Sequence, residues 1–151
     1  MLRSVRQICP GCKVVGPNIS HLDHLRGWPW LREFYAEAQR LGVRLPEVAA
    51  IHDYTGQHPA LMVNSLFEML ATIDGTPATV WVTEFGRCDP AWVALAVATY
   101  EADPRVARYA YFTARDWPSQ PCMTLLDANG LTAVGHTFAT RHQPPATSSH
   151  S

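Results

Sequence analysis

The feature of the sequence that most constrains the fold is an alternation of strand-like and helix-like segments. Short runs rich in β-branched and aromatic residues, typical of buried strands, cover residues 13–20, 48–54, 76–86 and 106–113. Segments with apolar residues at helical spacing lie between them, over residues 28–42, 59–73 and 90–101. Strands that alternate with helices across short connections form parallel βαβ units. The sequence therefore predicts an α/β protein with a parallel sheet.

The two ends of the chain differ from this pattern. Residues 1–8 are predicted to be the last turns of a helix, and a short apolar segment covers 131–139. A chain of 151 residues is long enough for one domain with a sizeable core. We expect that domain to cover residues 1–140 and the Pro-, Ser-, Thr- and His-rich stretch 141–151 to be a disordered tail.

Charge and composition exclude several classes of function. The formal net charge is -1 and Lys and Arg form no cluster, which disfavours a nucleic-acid or anionic-membrane surface. No apolar run approaches the ~20 residues of a membrane span. The N-terminus lacks the apolar region of a signal peptide, so we expect an intracellular protein or a start further upstream. No Gly-rich phosphate loop follows a strand and no Gly-x-Ser-x-Gly occurs, so neither a nucleotide cofactor nor a serine hydrolase is predicted.

The four cysteines predict no metal site. Cys9 and Cys12 have the spacing seen in zinc and redox sites, but they precede a strand instead of following one. Cys88 and Cys122 are isolated in the sequence and do not form a second ligand pair. We interpret the Cys9–Cys12 segment as a turn with incidental cysteines, and a disulfide within it stays open.

A carboxylate closes the third predicted strand. Glu84 follows the apolar run that begins at Val80, and Gly86 ends the run. Because side chains alternate along a strand, Glu84 is predicted to share the buried face of Val80 and Val82. A buried carboxylate is costly unless it is paired or used, so Glu84 either emerges into solvent at the strand end or belongs to a site.

Polar and aromatic residues also end the other predicted strands. The parallel arrangement brings strand ends to one rim, where α/β folds place their sites. The candidates on this rim are Asn18, His52, Tyr54, Tyr111 and Trp117. Their groups suit a sugar-binding cleft, since aromatic faces stack on pyranose rings and polar groups bond hydroxyls. Each alone also fits ordinary packing: a core histidine, a tyrosine that closes the sheet, a loop tryptophan.

Five segments in order resemble a known family. They are Lys13–Pro17, Ile51–Tyr54, Val80–Gly86, Val106–Phe112 and Leu125–Gly135. Together they are similar to the second half of the glycosyl hydrolase catalytic core that includes the β-1,3-glucanases of glycoside hydrolase family 128. The resemblance covers roughly residues 8 to 140. It implies a partial (β/α)8 barrel, made of about the last four β/α units.

The resemblance also implies residue roles. Glu84 would be the nucleophile of a retaining hydrolase of β-glucan-type polysaccharides, without cofactor or metal. His52 and Tyr54 would orient the nucleophile and the sugar, and Asn18, Tyr111 and Trp117 would be further substrate contacts. Asp53 stands where the family has an aromatic residue, which places one stacking surface in doubt.

The second catalytic carboxyl of the family is absent from this sequence. The family carries it in an Asn-Glu-Pro motif after the fourth strand, and the sequence contains no such motif. The other glutamates fall in predicted helices or loops away from the rim. We therefore expect the chain to be catalytically incomplete alone, as a fragment or one half awaiting a partner.

Two alternatives remain beside that reading. The chain is a carbohydrate-binding module that keeps the cleft without the chemistry, or two copies pair their exposed sheet edges into a closed eight-stranded barrel. Neither involves nucleic acid or membrane. The resemblance does not fix the compartment, although full-length members of the family are often secreted.

Overall fold

A computed structural model describes residues 7–19, 27–115 and 118–141 of the chain. Its helices are α1 (Gly27–Arg40), α2 (Pro59–Leu70), α3 (Pro90–Ala102) and α4 (Ala133–Arg141). Its strands are β1 (Ala49–Asp53), β2 (Val80–Phe85), β3 (Val106–Tyr111), β4 (Leu126–Asp127) and β5 (Gly130–Leu131). A 3₁₀ turn, Pro121–Met123, precedes β4.

The main sheet is parallel, with β2 between β1 and β3. Helix α2 connects β1 to β2, and α3 connects β2 to β3, so the prediction of an α/β protein with parallel βαβ units is confirmed. The strands β4 and β5 form a separate antiparallel pair.

The first predicted strand is reduced to a bridge. Val15 pairs in parallel with Val48, and the amide of Gly16 donates to the carbonyl of Val48 at 3.0 Å. The ladder stops there because Gly16 has φ +131° and Pro17 has no N–H to donate. The strand predicted in residues 13–20 is expected to stop at Gly16–Pro17, and the pairing does stop there, although it consists of a single bridge beside β1.

Capping residues and prolines fix where α2 and α3 begin. His58 Nδ1 accepts from the amide of Ala60 at 3.2 Å, and Asp89 Oδ1 accepts from the amide of Ala91 at 2.9 Å. In each helix a proline follows the cap at the first helical position, where its missing N–H costs nothing. The predicted starts of both helices are confirmed, whereas α2 ends at Leu70 and not at residue 73.

The core lies between the sheet and the helices. Val80, Val82 and Phe85 of β2 are all fully buried in it. The ring of Phe85 contacts aromatic rings of α3, β3 and α4, with centroids 5.3 to 6.4 Å apart. Burial of each such side chain stabilises the fold by about 1.5–3 kcal/mol.

Three leucines predicted to face the core are exposed. Leu41, Leu61 and Leu95 keep 51%, 52% and 40% of their surface. In α2 the consecutive residues Met62 and Val63 are both buried, and in α3 so are Trp92 and Val93. The buried faces of α2 and α3 are therefore wider than a single apolar stripe at helical spacing.

Two disulfides are present. Cys9 bonds Cys12, which is the alternative that the sequence left open, and Cys88 bonds Cys122 across 34 positions. The prediction that Cys88 and Cys122 are unrelated is wrong, because the 3₁₀ turn packs against the loop after β2. The buried Met123 lies close to Gly86 in that contact.

Some predictions fall on residues outside the described ranges. Most of the helix predicted for 1–8, the side chain of Trp117 and nearly all of the tail 141–151 are among them. In the described ranges no helix has the length and apolarity needed to cross a membrane. The same ranges hold no cluster of three or more His, Cys, Asp or Glu side chains suited to a metal ion.

Candidate active site

A bulge at the end of β2 decides which way Glu84 points. Ile51 pairs with Val82, but the next residue of β1, His52, pairs with Glu84. Thr83 is therefore an extra residue in β2, and an extra residue in one strand moves every later side chain to the other face.

The bulge reverses the predicted face of Glu84. Phe85 joins Val80 and Val82 in the core, and Glu84 turns to the opposite side, where it meets His52. The prediction that Glu84 shares the face of Val80 and Val82 is wrong, because strict alternation does not hold across a bulge. The carboxylate consequently faces away from the helices.

Glu84 accepts a short hydrogen bond from Tyr54. The Tyr54 hydroxyl donates to Glu84 Oε2 at 2.7 Å, while the carboxylate keeps 36% of its side-chain surface exposed. Burial raises the pKa of Tyr54 above its ordinary value, and the hydrogen bond to Glu84 raises it further. The Tyr54 hydroxyl therefore keeps its proton and donates it in this hydrogen bond, which Glu84 accepts.

His52 lies beside the same carboxylate oxygen. Its Nδ1 is 3.3 Å from Glu84 Oε2, and only 12% of its side chain is exposed. This nitrogen is buried and has no hydrogen-bond partner within the described part of the chain.

Asn18 reaches the site through the bulge residue. The Thr83 hydroxyl lies 2.9 Å from Asn18 Oδ1 and 3.3 Å from the carbonyl of Ile51. This contact holds the exposed Asn18 next to the residue that precedes Glu84. Thr83 is one of the polar residues at the end of its predicted strand, but the bulge that gives it this contact was not predicted.

Phe112, the residue directly after β3, contacts Tyr54, whereas Tyr111 at the end of β3 contacts the core. The Tyr111 ring packs against Phe85 and Phe138 at 5.3 and 5.5 Å between centroids. Burial raises the pKa of Tyr111 to about 12. Phe112 meets the ring of Tyr54 edge-on at 6.4 Å. Tyr111 thus packs beside Phe85, its partner across β2 and β3, and its contact with substrate stays a prediction.

Asp53 is not part of the cleft. It is fully buried on the helical side, where Oδ2 accepts from the Tyr100 hydroxyl at 2.8 Å. Its Oδ1 accepts from the amide and hydroxyl of Thr55 at 3.2 and 3.0 Å. The doubt about a lost stacking surface therefore does not apply, because this side chain points into the core.

Several other carboxylates have partners away from the rim. Glu37 pairs with Arg40, Asp103 with Arg105, and Glu101 accepts from Tyr109. Glu47 accepts from the amide of Val14. Within the described residues Glu84 is the carboxylate that contacts both Tyr54 and His52, in an arrangement suited to a nucleophile or an acid–base group.

Comparison with known proteins supports a specific family. The family model described as "Glycosyl hydrolase catalytic core" matches residues 4–138. A search of curated protein sequences gives no match.

Similar solved structures are endo-β-1,3-glucanases and a sugar-binding relative. A GH128 subgroup II endo-β-1,3-glucanase from Pseudomonas viridiflava is 27% identical with a TM-score of 0.69, over 95% of this chain and 60% of that one. A subgroup I endo-β-1,3-glucanase from Amycolatopsis mediterranei, in complex with laminarihexaose, has 18% identity and a TM-score of 0.61, over 92% and 64%. A subgroup VII oligosaccharide-binding protein from Cryptococcus neoformans has 20% identity and a TM-score of 0.65, over 91% and 56%. The chain thus spans about 60% of the length of these relatives.

Proposed function

Because this chain belongs to the glycosyl hydrolase catalytic core family, we propose that it takes part in the hydrolysis of a β-1,3-glucan, with Glu84 as nucleophile. The observation that carries the proposal is the Glu84 carboxylate at the strand ends, which accepts from Tyr54 at 2.7 Å beside His52 at 3.3 Å. The substrate class follows the relatives named as β-1,3-glucanases.

In a retaining reaction, Glu84 attacks the anomeric carbon while the glycosidic bond breaks and the second carboxyl gives its proton to the leaving oxygen. That carboxyl then takes a proton from the water that releases the sugar from Glu84. The Tyr54 hydroxyl holds the carboxylate in one orientation and stabilises its charged form. Tyr54 and His52 restrict the direction of attack, since both contact the same oxygen of Glu84. Asn18 and Phe112 line the neighbouring surface and suit a hydroxyl and an apolar sugar face respectively.

We assign the fold to the last four β/α units of a (β/α)8 barrel. Three parallel strands and the bridged segment at Val15 supply four neighbouring positions. A complete barrel takes ~250 residues, and the family resemblance implies a nucleophile on its seventh strand, which would correspond to β2. The side of the sheet that bears Glu84 is then the barrel interior.

A retaining mechanism requires a second carboxyl about 5–5.5 Å from the nucleophile. The sequence contains no Asn-Glu-Pro motif. We propose that this acid/base group comes from another segment or chain that supplies the preceding half of the barrel.

The decisive experiment combines this chain with a half-barrel that carries the acid/base group. Release of reducing ends from laminarin is measured for the chain alone, for the combination, and for the combination with Glu84→Gln. We expect turnover only in the combination, and a loss of at least about 10³-fold with Glu84→Gln. Glu68→Gln is the matched control, because Glu68 is an exposed residue of α2. Turnover that survives Glu84→Gln would rule out Glu84 as the nucleophile.

A non-catalytic sugar-binding role is the second candidate. It is favoured by the oligosaccharide-binding relative from Cryptococcus neoformans and by the contacts of Glu84, which are with a phenol and an imidazole. Titration of laminarihexaose by calorimetry separates the two. A binding module predicts measurable affinity that Glu84→Gln changes little, without turnover in any combination.

A homodimer would also place partner strands beside this sheet. β3 pairs only with β2 among the described strands, so its other edge is available to a partner. Light scattering behind a sizing column gives the mass in solution. A dimer that persists at low concentration supports pairing of two copies, and a monomer argues against it.

A further inference from the structure

Arg87 connects the two loops that bear the candidate site. It lies three residues after Glu84, in the loop that follows β2. Its side chain turns back to the neighbouring loop, where Nη1 donates to the carbonyl of Tyr54 at 3.1 Å. The guanidinium therefore bonds the main chain of the residue whose hydroxyl bonds Glu84.

Gly56 leaves room for this contact. Gly56 has φ +71°, a conformation that glycine adopts without strain. A Cβ at this position would overlap the guanidinium of Arg87. Because Gly56 has no side chain, the guanidinium packs directly on the loop main chain, next to the Tyr54 carbonyl.

The main chain of Arg87 is itself anchored. The hydroxyl of Tyr111 donates to the Arg87 carbonyl at 3.1 Å. The next residue, Cys88, is joined to Cys122 by a disulfide. The Arg87 side chain thus leaves a backbone that is held on both sides, and so it can transmit a fixed position to the loop it contacts.

We propose that Arg87 is a positioning residue, which sets the place of Tyr54 and through it the orientation of the Glu84 carboxylate. The proposal rests on the function proposed for Glu84. The Tyr54 hydroxyl must stay within hydrogen-bond distance of Glu84, so a shift of about 1 Å in the Tyr54 main chain is enough to lose the contact. Arg87 touches no reacting atom in this scheme.

The test compares Arg87→Met with Arg87→Gln. Both variants are uncharged, similar in length to each other and about two atoms shorter than arginine, but only the glutamine amide can donate toward the Tyr54 carbonyl through a bridging water. The readout is the NMR signal of the ring carbon that bears the hydroxyl in labelled tyrosine, assigned to Tyr54 by its loss in Tyr54→Phe. This signal needs no turnover and no substrate.

We expect Arg87→Met to move the Tyr54 signal toward its position in Glu84→Ala, where the acceptor is gone. Arg87→Gln should keep the signal nearer to that of the unmodified protein. In the hydrolytic combination, kcat should fall roughly tenfold to a hundredfold with Arg87→Met and less with Arg87→Gln, while KM changes little.

Two results would overturn the proposal: an unchanged Tyr54 signal in Arg87→Met, or equal shifts in both variants. Should Arg87→Met fail to fold, the Tyr54 signals of Arg87→Lys and Arg87→Gln are compared instead. The proposal requires both donor-bearing variants to keep a signal near that of the unmodified protein. A shift in the glutamine variant alone would indicate an effect of charge and not of the hydrogen bond. The outcome is separable from the proposed function. Loss of turnover in Glu84→Gln with normal Tyr54 signals in the Arg87 variants rejects the positioning role alone.

Discussion

Two carboxylate–phenol pairs lie on opposite faces of the same sheet. Asp53 accepts from the Tyr100 hydroxyl at 2.8 Å, and Glu84 accepts from the Tyr54 hydroxyl at 2.7 Å. Asp53 is fully buried, whereas Glu84 keeps 36% of its side-chain surface. The chemistry of the two pairs is the same, and only their surroundings differ.

The difference distinguishes a carboxylate that is sealed in the core from one that is open to solvent. Asp53 also accepts two bonds from Thr55, so both of its oxygens are satisfied inside the core. Glu84 is reached by Tyr54 and His52 through one oxygen, Oε2. A carboxylate with exposed surface and spare acceptor capacity is available to a substrate, while a sealed one contributes to folding.

The largest expected effect comes from removing each carboxylate in turn. Asp53→Ala should lower the free energy of unfolding by about 3 kcal/mol, because it leaves the buried Tyr100 hydroxyl and the Thr55 amide without acceptors. Glu84→Ala should change it by no more than about 0.5 kcal/mol, as expected near solvent. Urea unfolding of both variants measures the contrast. An equal loss in the two variants would break the comparison and make Glu84 a structural residue.

A second comparison removes only the hydroxyl of each tyrosine and leaves both carboxylates in place. Tyr100→Phe leaves Asp53 with an unfilled oxygen in the core and should cost about 1–2 kcal/mol. Tyr54→Phe should cost less than about 0.5 kcal/mol, since water can replace the hydroxyl at an exposed carboxylate. Denaturation midpoints give both values. A larger loss from Tyr54→Phe than from Tyr100→Phe would contradict the assignment of the two pairs.

Much of the fold follows from local signals in the sequence. Pro59 and Pro90, each preceded by a capping residue, determine where two helices begin, and short connections make the strands parallel. The meeting of His52, Tyr54 and Glu84 follows from that order, because the ends of neighbouring parallel strands share a rim. These features depend on a few adjacent residues and on chain direction.

The orientation of the site residues depends on pairing between distant strands. The bulge at Thr83 arises where β1 and β2 change register, and it turns Glu84 away from the core. A similar shift occurs between β2 and β3, where Tyr111 packs against Phe85 and the next residue, Phe112, contacts Tyr54. One residue of slip reverses a side chain's face, and no run of sequence within a single strand contains that information. The Cys88–Cys122 disulfide escaped prediction for the same reason.

Alkaline pH provides the smallest and most graded test of the two pairs. Burial raises the pKa of Tyr100, and the adjacent Asp53 raises it further. A tyrosine that ionises later in the folded protein than in the unfolded chain stabilises the fold fully below the ordinary pKa of about 10, and this stability is lost as pH rises further. The free energy of unfolding should therefore decline above about pH 10. Each such tyrosine contributes to the slope up to one proton that the unfolded chain releases and the folded protein keeps.

Urea unfolding between pH 9 and 11 measures how steeply the free energy of unfolding falls with pH. At the alkaline end of this range, Tyr100→Phe should reduce that slope by an amount that approaches one proton. Tyr54 also has a raised pKa, but its pair reaches solvent, so Tyr54→Phe should remove a smaller part of the slope. Tyr111, whose pKa burial raises to about 12, keeps some of the decline in both variants. Equal slopes for Tyr100→Phe and the unmodified protein would show that the Asp53–Tyr100 pair is open to water, and the distinction between the two faces of the sheet would then rest on geometry alone.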